Sequence, residues 1–317
     1  MNELGSPNQP FLSVVVPVYR EPECIAPFIS RLNSVLSGEE IDSYEIVFSV
    51  DPSDDDTYSK IEVASLEDNR IRALLFSRRV GQPMATIAGL EHSRGAIVVV
   101  MDVDLQDPPE LIPAMIKKWE QGFRVVYAKR RSRDGETLMK KAIAKAGYTI
   151  IGRFGNVPIP RDTGDFRLMD RRVVDELGKF NESHGFLRGL VALVGFSQTA
   201  IEFNRPARHS GRGSYNRYLG SLKIGFDGVV GFSSALLNLS TVFGFITATS
   251  SFLLGTAYVM LTMFGFPFPI GNPTIVTLVL FVGGVQLICI GIMGQYIGRI
   301  YDEVKRRPRY IIDQRLG

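Results

Sequence analysis

The chain contains very little cysteine, with two residues in 317, Cys24 and Cys289. The first lies in a charged half of the chain and the second in a long apolar segment, so we expect no disulfide, which suits a reducing cytoplasm. The first residues carry neither a basic region nor an apolar core, and we expect no signal peptide. The formal net charge is only +3, which excludes the general attraction to nucleic acid of a strongly basic chain.

Charged residues and histidine are absent from the 71 residues between positions 228 and 298. A core helix of a soluble domain is far shorter than this, whereas roughly 20 apolar residues cross a bilayer. Glycine, proline and asparagine cluster at 265–273 and predict a turn there. We therefore predict two transmembrane helices, at about 232–264 and 274–298, that form a hairpin.

The charges on either side of this segment are mostly positive and predict its orientation. The connecting turn has no charge, whereas basic residues precede the first span and follow the second: Arg205, Arg208, Arg212, Arg217, Lys223, Arg299, Lys305, Arg306, Arg307, Arg309 and Arg315. Basic flanks stay on the cytoplasmic side of a membrane. We therefore expect an integral protein of the inner (plasma) membrane with its catalytic domain and both termini in the cytoplasm.

Residues 214–231 place apolar side chains on one helical face directly before the first span, which predicts an interfacial amphipathic helix. The chain then divides into a cytoplasmic domain over 1–213, this helix, the hairpin over 232–298 and a basic cytoplasmic tail over 299–317.

Glycine recurs every seven residues in the second span, at Gly284, Gly291 and Gly298, with Gly294 beside them. Small residues along one helix face allow another helix to approach closely. The partner is either the first span or another subunit, and the sequence does not separate the two. We expect a homo-oligomer formed through the transmembrane helices.

The cytoplasmic part alternates strand-like and helical segments, which predicts an α/β domain with a mostly parallel sheet.

The clearest strand of this domain, at 96–101, is followed at once by Asp102-Val-Asp-Leu-Gln-Asp-Pro-Pro-Glu110. Acidic residues at i and i+2 point to one side of an extended chain, so Asp102 and Asp104 can converge on one hard cation. Open α/β folds bind ligands at the carboxyl ends of their strands. We expect Asp107, directly before the prolines, to cap the next helix. A cation site on a domain tied to a membrane suggests chemistry between a soluble phosphorylated donor and a lipid.

In this order, these signals resemble the polyisoprenyl-phosphate glycosyltransferases, which are membrane members of glycosyltransferase family 2 related to dolichol-phosphate mannose synthases, and in particular the GtrB-type enzymes. The resemblance covers nearly the whole chain and rests on Val14-Val-Val-Pro-Val-Tyr-Arg-Glu21, Ser77-Arg78 with Gly81, Asp102 to Glu110, Thr163-Gly-Asp-Phe-Arg-Leu-Met-Asp-Arg-Arg172, and Arg208 through Asp227-Gly228. The chain departs from the family pattern at Arg20 and Arg79, where asparagine is usual, and at Tyr215, where lysine is usual.

The resemblance implies a GT-A fold, which is Rossmann-like with a mostly parallel sheet, and a nucleotide-sugar donor. It implies that Asp104 and Gln106, together with Asp102, bind the Mg²⁺ or Mn²⁺ that neutralises the donor's diphosphate. The nucleotide-sugar pocket would be lined by Pro17, Tyr19, Glu21, Asp51 and Arg78. Within it, Asp51 would accept a hydrogen bond from the base.

For the reaction itself, the resemblance implies catalytic roles for Asp102, Asp104, Asp165 and Arg167. We expect Asp165 and Arg167 to face the sugar, and Asp165 to position substrate first and act as a base second. A lipid phosphate with a second pKa of about 6 is already largely ionised near neutrality, so a base is not obviously needed. Arginine forks bind phosphate well, and the lipid phosphate would be held by Arg208, Arg212, Ser214 and Arg217. For Arg217, a contact with anionic lipid headgroups is an equal alternative.

We predict inverting transfer of a sugar, with UDP-glucose as the favoured donor, to polyisoprenyl (undecaprenyl) phosphate, giving a β-linked lipid-phosphate sugar. Another donor, such as GDP-mannose, would change the pocket too little to be visible in the sequence. A processive polysaccharide synthase is disfavoured because the single tryptophan, Trp119, follows Lys118 and not the arginine of a Gln-x-x-Arg-Trp motif. A catalytically inactive scaffold that binds nucleotide sugar is the alternative from a different class. The intact Asp102, Asp104 and Gln106 argue against it.

Overall fold

The computed structural model describes residues 9–39, 41, 43–131, 163–180, 187–204, 235–266 and 271–317. In chain order the elements are β1 (Leu12–Val18), α1 (Ile25–Gly38), β2 (Tyr44–Val50), α2 (Thr57–Glu67), β3 (Ile71–Phe76), α3 (Gln82–His92), β4 (Ile97–Val100), a 3-10 turn (Pro109–Leu111), α4 (Ile112–Glu120), β5 (Val125–Arg130), β6 (Thr163–Asp170), α5 (Arg171–Gly178), α6 (Leu187–Val194), β7 (Gln198–Phe203), α7 (Ala235–Met263), α8 (Asn272–Val304) and β8 (Ile312–Leu316). These elements form two compact units: an α/β unit with all the strands, and a unit with α7 and α8.

The α/β unit is built on one eight-stranded sheet with the order β7-β5-β6-β4-β1-β2-β3-β8. The central strands β4, β1, β2 and β3 are parallel to one another, and β7 is parallel to β5. In contrast, β6 is antiparallel to both β4 and β5, and β8 is antiparallel to β3. The predicted α/β domain with a mostly parallel sheet, of the GT-A type, is therefore confirmed.

The central strands are mostly apolar, and both of their faces are covered. Every residue of β1, β2 and β4 is buried, as is typical of parallel strands inside an α/β domain. The helix α3 approaches β1 and β2 so closely that a Cβ on Gly89 would fall 2.4 Å from Val15 Cγ1 and 2.6 Å from Ser49 Oγ. Apolar side chains at helical spacing on α1 complete the core: Ile25, Phe28, Leu32 and Leu36.

The C-terminal segment belongs to the α/β unit and is not a separate tail. Its strand β8 pairs with β3 in the register Ala73↔Leu316, Leu74↔Arg315 and Leu75↔Gln314. Arg309 and Tyr310 both bond to the Glu91 carboxylate near the end of α3. This differs from the basic tail expected over 299–317. The segment forms a strand because the outer edge of β3 has unpaired backbone N–H and C=O groups, and here a segment distant in sequence pairs with them.

The helices α7 and α8 contain two segments, Leu237–Met263 and Thr277–Val304, that are long and apolar enough to cross a membrane. Their large apolar side chains are mostly exposed in the single chain, as expected of a surface that faces lipid. Thr247, Thr256 and Thr262 donate their hydroxyl groups to carbonyls one turn earlier, which satisfies these groups within the helix. The helix α8 continues beyond the predicted end at residue 298 to Val304.

The glycine stripe of α8 does not pack against α7 in the described part of this unit. Apart from the helix's own backbone and adjacent residues, no heavy atom lies within 4 Å of a Cβ placed on Gly284, Gly291, Gly294 or Gly298. The two helices meet elsewhere, for example where Cys289 Sγ donates to Ser240 O over 3.7 Å. The first span is therefore not the partner of this face among the described residues. The expected oligomer stays a prediction.

Candidate active site

The carboxyl ends of β1 to β4 lie along one edge of the sheet because these strands are parallel. The antiparallel strand β6 brings its first residues to the same edge, since Val100 near the end of β4 is opposite Arg167. Parts of the chain that sequence analysis singled out therefore come together at this edge: Tyr19, Asp51, the 77–81 loop, Asp102 and Asp165.

Asp51 ties the 77–81 loop, which connects β3 to α3, to the end of β2. Asp51 is only 2% exposed, and its two carboxylate oxygens accept from Val80 N at 2.8 Å and Gly81 N at 2.9 Å. The φ of Gly81 is 84°, a backbone conformation that glycine adopts without strain. A carboxylate oxygen can accept more than one hydrogen bond, so these contacts are compatible with the predicted bond to a base. That bond stays a prediction.

Tyr19 has an arginine side chain near its ring from each of two loops. The guanidinium carbon of Arg79 is 4.0 Å from the ring centroid and that of Arg20 is 5.4 Å away. Arg20 also forms an ion pair with Asp54, with Nη2 2.5 Å from Oδ1. Two of the positions at which this chain departs from the family pattern therefore contact the same ring. Arg79, which sequence reasoning did not name as a site residue, joins Tyr19 and Arg78 in the predicted nucleotide pocket.

Pro17 and Glu21 lie on either side of Tyr19, at the end of β1 and in the loop that follows. Pro17 is paired in register with Ser49 of β2. The Glu21 backbone N donates to Thr57 Oγ1 over 3.1 Å, which fastens the loop to the first residue of α2. Both residues are thus held at the site edge, and their contact with a nucleoside stays a prediction.

The acidic run after β4 folds back on itself. Asp107 Oδ2 accepts from Asp102 N over 3.3 Å, and Asp104 Oδ1 accepts from Gln106 N over 3.1 Å. From α3, Gln82 Nε2 donates to Asp102 Oδ1 over 2.8 Å. The N-cap positions of the 3-10 turn and of α4 are Pro108 and Leu111, and neither side chain makes a cap hydrogen bond. One oxygen of Asp107 closes the acidic loop through Asp102 N, and the expectation that Asp107 caps the next helix stays a prediction.

The donor atoms of this acidic loop suit a hard divalent cation, because Asp102, Asp104 and Gln106 all offer side-chain oxygens. Among the described residues, no group of three or more histidine, cysteine, aspartate or glutamate side chains could hold a metal by itself. Mg²⁺ is usually bound through one or two carboxylates together with substrate phosphates. The loop therefore fits a cation whose remaining ligands come from a diphosphate.

Asp165 lies among arginines near the start of β6. Arg188 Nε donates to Asp165 Oδ1 over 2.9 Å, and Arg167 Nη2 lies 3.9 Å from the same oxygen. Burial raises the pKa of Asp165, but the guanidiniums of Arg188, Arg167 and Arg130 outweigh it and hold this pKa below its ordinary value. Asp165 is therefore ionised at neutral pH and is a weak proton acceptor.

Arg167 and Arg188 differ in their accessibility. Arg167 has a side chain only 4% exposed and donates to Gly164 O over 3.0 Å and to Asp165 O over 3.3 Å. The pKa of Arg167 is lowered to about 10, mainly by burial. The negative charge of Asp165 raises this pKa, whereas the positive charge of Arg188 lowers it further. The side chain of Arg188 is 24% exposed. Arg188 is thus the member of the pair that a substrate reaches more easily.

Sequence reasoning missed Arg188, Arg79 and Gln82. Arg188 is the single charge in the apolar helix Leu187–Val194, a signal that could have drawn attention to it. Arg79 directly follows a recognised motif, whereas Gln82 has no signal because only folding brings α3 to the acidic loop. The predicted lipid-phosphate residues and the predicted interfacial helix lie outside the described residues: Arg208, Arg212, Ser214, Arg217 and 214–231.

The sequence matches the profile of glycosyl transferase family 2 over residues 13–178. YkcC, an uncharacterized glycosyltransferase of Bacillus subtilis (strain 168), is 41% identical over 96% of this chain and 94% of its own length. The SfII prophage-derived bactoprenol glucosyl transferase of Shigella flexneri is 39% identical over 95% of this chain and 97% of its own. The solved structure of the mannosyltransferase PcManGT from Pyrobaculum calidifontis, in complex with GDP-Man and Mn2+, has 18% identity and a TM-score of 0.48, and the likeness covers 92% of this chain and 85% of that chain.

Proposed function

Because this chain belongs to glycosyl transferase family 2 and is a glycosyltransferase, we propose that it transfers a sugar from a nucleotide-sugar donor to a polyisoprenyl phosphate. The favoured donor is UDP-glucose and the favoured acceptor is undecaprenyl phosphate, in line with the relative named as a bactoprenol glucosyl transferase. The observation that carries the proposal is the convergence of the acidic loop and the Asp165–Arg188 pair on one sheet edge. The same chain contains two helices of membrane-spanning length.

The nucleoside of the donor would lie against Pro17, Tyr19 and Glu21, with Arg78 and Asp51 completing the pocket. Support comes from the way Asp51 fixes the 77–81 loop through two backbone N–H groups before any ligand binds. A pocket whose loops are already ordered loses less conformational freedom on binding.

Asp104 and Gln106 would hold a divalent cation, with Asp102 beside them. A bound cation of this kind neutralises the charge that develops on the departing diphosphate. Gln82 Nε2 keeps the Asp102 carboxylate oriented by donating to it over 2.8 Å. The acidic loop would thus supply prearranged oxygen ligands where the leaving group separates.

The acceptor phosphate would attack the anomeric carbon directly, without prior removal of a proton. A lipid phosphate with a second pKa of about 6 is already mostly ionised near neutrality. The arginines beside Asp165 hold the pKa of this carboxyl below its ordinary value, which suits a group that orients sugar hydroxyls more than one that accepts a proton. Direct attack inverts the anomeric carbon, so an α-linked donor gives a β-linked product.

The catalytic unit and both chain ends would lie on the cytoplasmic side of the inner membrane. The hairpin has two spans, so the chain that leaves it is on the side from which it entered. In support, the strand β8 that follows α8 pairs with β3 in the same sheet as the strands that precede the hairpin. Basic residues on both flanks and none in the connecting turn agree with this orientation.

The test is transfer of radiolabelled glucose from UDP-glucose to undecaprenyl phosphate in detergent, with Mg²⁺ or with EDTA. We expect label in the lipid fraction that depends on the cation, and a β linkage in the product by NMR. Label from GDP-mannose but none from UDP-glucose would overturn the favoured donor and keep the reaction. If no donor labels the lipid although UDP binds, the proposed reaction is wrong.

A further inference from the structure

We propose that Arg188 belongs to the subsite that holds the phosphate of the acceptor, and that Asp165 keeps Arg188 in place until the acceptor arrives. The inference rests on the proposed function, since it assigns a residue to one of the two substrates. It follows from the juxtaposition of α6 with the start of β6, because no motif of the sequence includes Arg188.

Asp165 and the acidic loop lie at the same edge of the sheet. The antiparallel strands β4 and β6 are aligned with Val100 opposite Arg167. Asp102 lies two residues after Val100, and Asp165 lies two residues before Arg167, so both carboxylates are at the same edge. With its Nε 2.9 Å from Asp165, Arg188 lies at the same edge of the sheet as the acidic loop, where the donor's sugar is expected.

The two arginines that contact Asp165 differ in exposure. Arg167 is 4% exposed and donates to two backbone carbonyls, so its position is determined by the fold. Arg188 is 24% exposed and donates to a carboxylate that is itself 32% exposed. A ligand that binds beside Asp165 therefore has access to Arg188, whereas Arg167 is buried.

Three guanidiniums, those of Arg188, Arg167 and Arg130, lie close enough to Asp165 to hold the pKa of its carboxyl below the ordinary value. Like charges in a partly buried site repel each other unless an anion separates them. A phosphate dianion brings more negative charge than one carboxylate and matches the guanidinium fork in geometry. It can therefore take the place of Asp165 at Arg188 when the acceptor binds.

The acceptor phosphate suits this position better than the donor diphosphate does. The donor's phosphates have the oxygen ligands of the acidic loop, through a cation, as their expected contact. Transfer then brings a second anion against the first, and that second anion requires positive charge from fixed side chains. Arg188 lies on the Asp165 side of the site and supplies such a charge.

The experiment compares Arg188→Ala and Arg188→Lys with the wild-type full chain in detergent. The KM for undecaprenyl phosphate, the KM for UDP-glucose, the Kd for UDP and the melting temperature are measured for each. Arg171→Ala is the matched control. Arg171 is also 24% exposed and also lies near a carboxylate, with Nη1 3.8 Å from Asp175 Oδ1, but it bonds to Gly95 O at the opposite end of β4.

We expect Arg188→Ala to raise the KM for undecaprenyl phosphate by about 10- to 100-fold, as loss of a charge-assisted phosphate contact does. The lysine variant keeps the charge and loses the guanidinium fork, so its KM for undecaprenyl phosphate should lie between those of the alanine variant and the wild type. The Kd for UDP should stay within about twofold of wild type, since the donor keeps its own contacts. The Arg171→Ala control should lower the melting temperature and leave the acceptor KM unchanged.

The inference is overturned if Arg188→Ala leaves the acceptor KM unchanged, or if it raises the KM values of donor and acceptor equally. Direct binding of undecaprenyl phosphate to the wild type, measured without donor, separates this failure from that of the proposed function. If the wild type binds and glycosylates the lipid while Arg188→Ala has a normal acceptor KM, only the role of Arg188 is wrong. If the wild type neither binds nor glycosylates it, the proposed function is wrong.

Discussion

Replacing Asp51 by asparagine should loosen the 77–81 loop before any nucleotide is bound. In the wild type, the two carboxylate oxygens accept from Val80 N and Gly81 N at 2.8 and 2.9 Å. Asparagine keeps one of these oxygens and puts an NH₂ group at the other position. One of the two backbone N–H groups then faces the NH₂ donor of the asparagine. Neither N–H group keeps a charged acceptor.

The size of this effect follows from the burial of the site. A hydrogen bond to a charged group contributes about 1.5–3 kcal/mol, and water does not easily replace it here because Asp51 is 2% exposed. The free energy of local opening of the loop should therefore fall by about 2–3 kcal/mol, or about 30- to 150-fold in the opening equilibrium. UDP affinity should fall by up to the same factor, since UDP would bind only to the ordered loop.

Hydrogen exchange of the Val80 and Gly81 amides, measured without nucleotide, tests this directly, and calorimetric titration with UDP gives the affinity. Asp54→Asn is the control, because Asp54 is 81% exposed and an exposed ion pair contributes about 0–1 kcal/mol. If Asp51→Asn weakens UDP binding while the two amides stay fully protected, the loop argument is refuted. Asp51 would then act through its contact with the base alone.

Four further changes test other parts of the molecule. Asp104→Asn should reduce transfer by about 100-fold or more in the radiolabel assay, because it removes a charged cation ligand; a wild-type rate would contradict the metal assignment. Glu45→Gln should destabilise the protein by about 2–4 kcal/mol at pH 7, because Glu45 is 2% exposed and is bonded to Ser13, Arg72 and Arg94. Burial raises the pKa of Glu45, but these partners outweigh it and leave the pKa below the ordinary 4.5, so the stabilisation is present above pH 4.5 and is lost as the pH falls further. The gap in melting temperature between this variant and wild type should therefore shrink on acidification, and a widening gap would be inconsistent with this network. Tyr310→Phe removes the hydroxyl that bonds to Glu91 and keeps the ring against Phe76, so we expect the free energy of unfolding to fall by about 1 kcal/mol. Deletion of 308–317 should destabilise the protein far more, because it exposes the edge of β3. Equal melting temperatures for the deletion and the wild type would show that β8 does not stabilise the sheet.

The parts of the structure that could be predicted have signals within a few neighbouring residues. The continuous apolar runs of β1 and β4 predict strands buried on both faces, and both are fully buried. The acidic run after β4 predicts a site at the carboxyl end of the sheet, and the structure places its carboxylates there. The long stretch without charge predicts a hairpin, and α7 and α8 are long and apolar enough to form it.

The parts that could not be predicted depend on contacts between distant segments. The pairing of Leu74 with Arg315 joins residues that are far apart in the sequence, and the basic residues of the last segment gave it the pattern of a solvated tail. Arg188 meets Asp165 only because folding brings the start of α6 to the start of β6. Asp107 accepts from Asp102 N, and this contact is determined by the fold of the loop. Local sequence patterns therefore indicated where the site is. The contacts that hold its residues in place could be seen only in the tertiary structure.

The arrangement around Asp165 indicates which physical problem this site solves. A general base works best with a pKa near the working pH, so a buried carboxyl meant for that role needs its pKa raised. Here Arg188, Arg167 and Arg130 do the opposite and keep Asp165 ionised. A phosphate nucleophile needs no base, because it is already charged, but it must be brought against a charged diphosphate. In the proposed reaction, the arginines on one side and the cation held by the acidic loop on the other would supply positive charge for these two anions. The site would thus be organised to overcome repulsion between its substrates, and the reaction rate should depend on the arginines and the cation more than on the titration of Asp165.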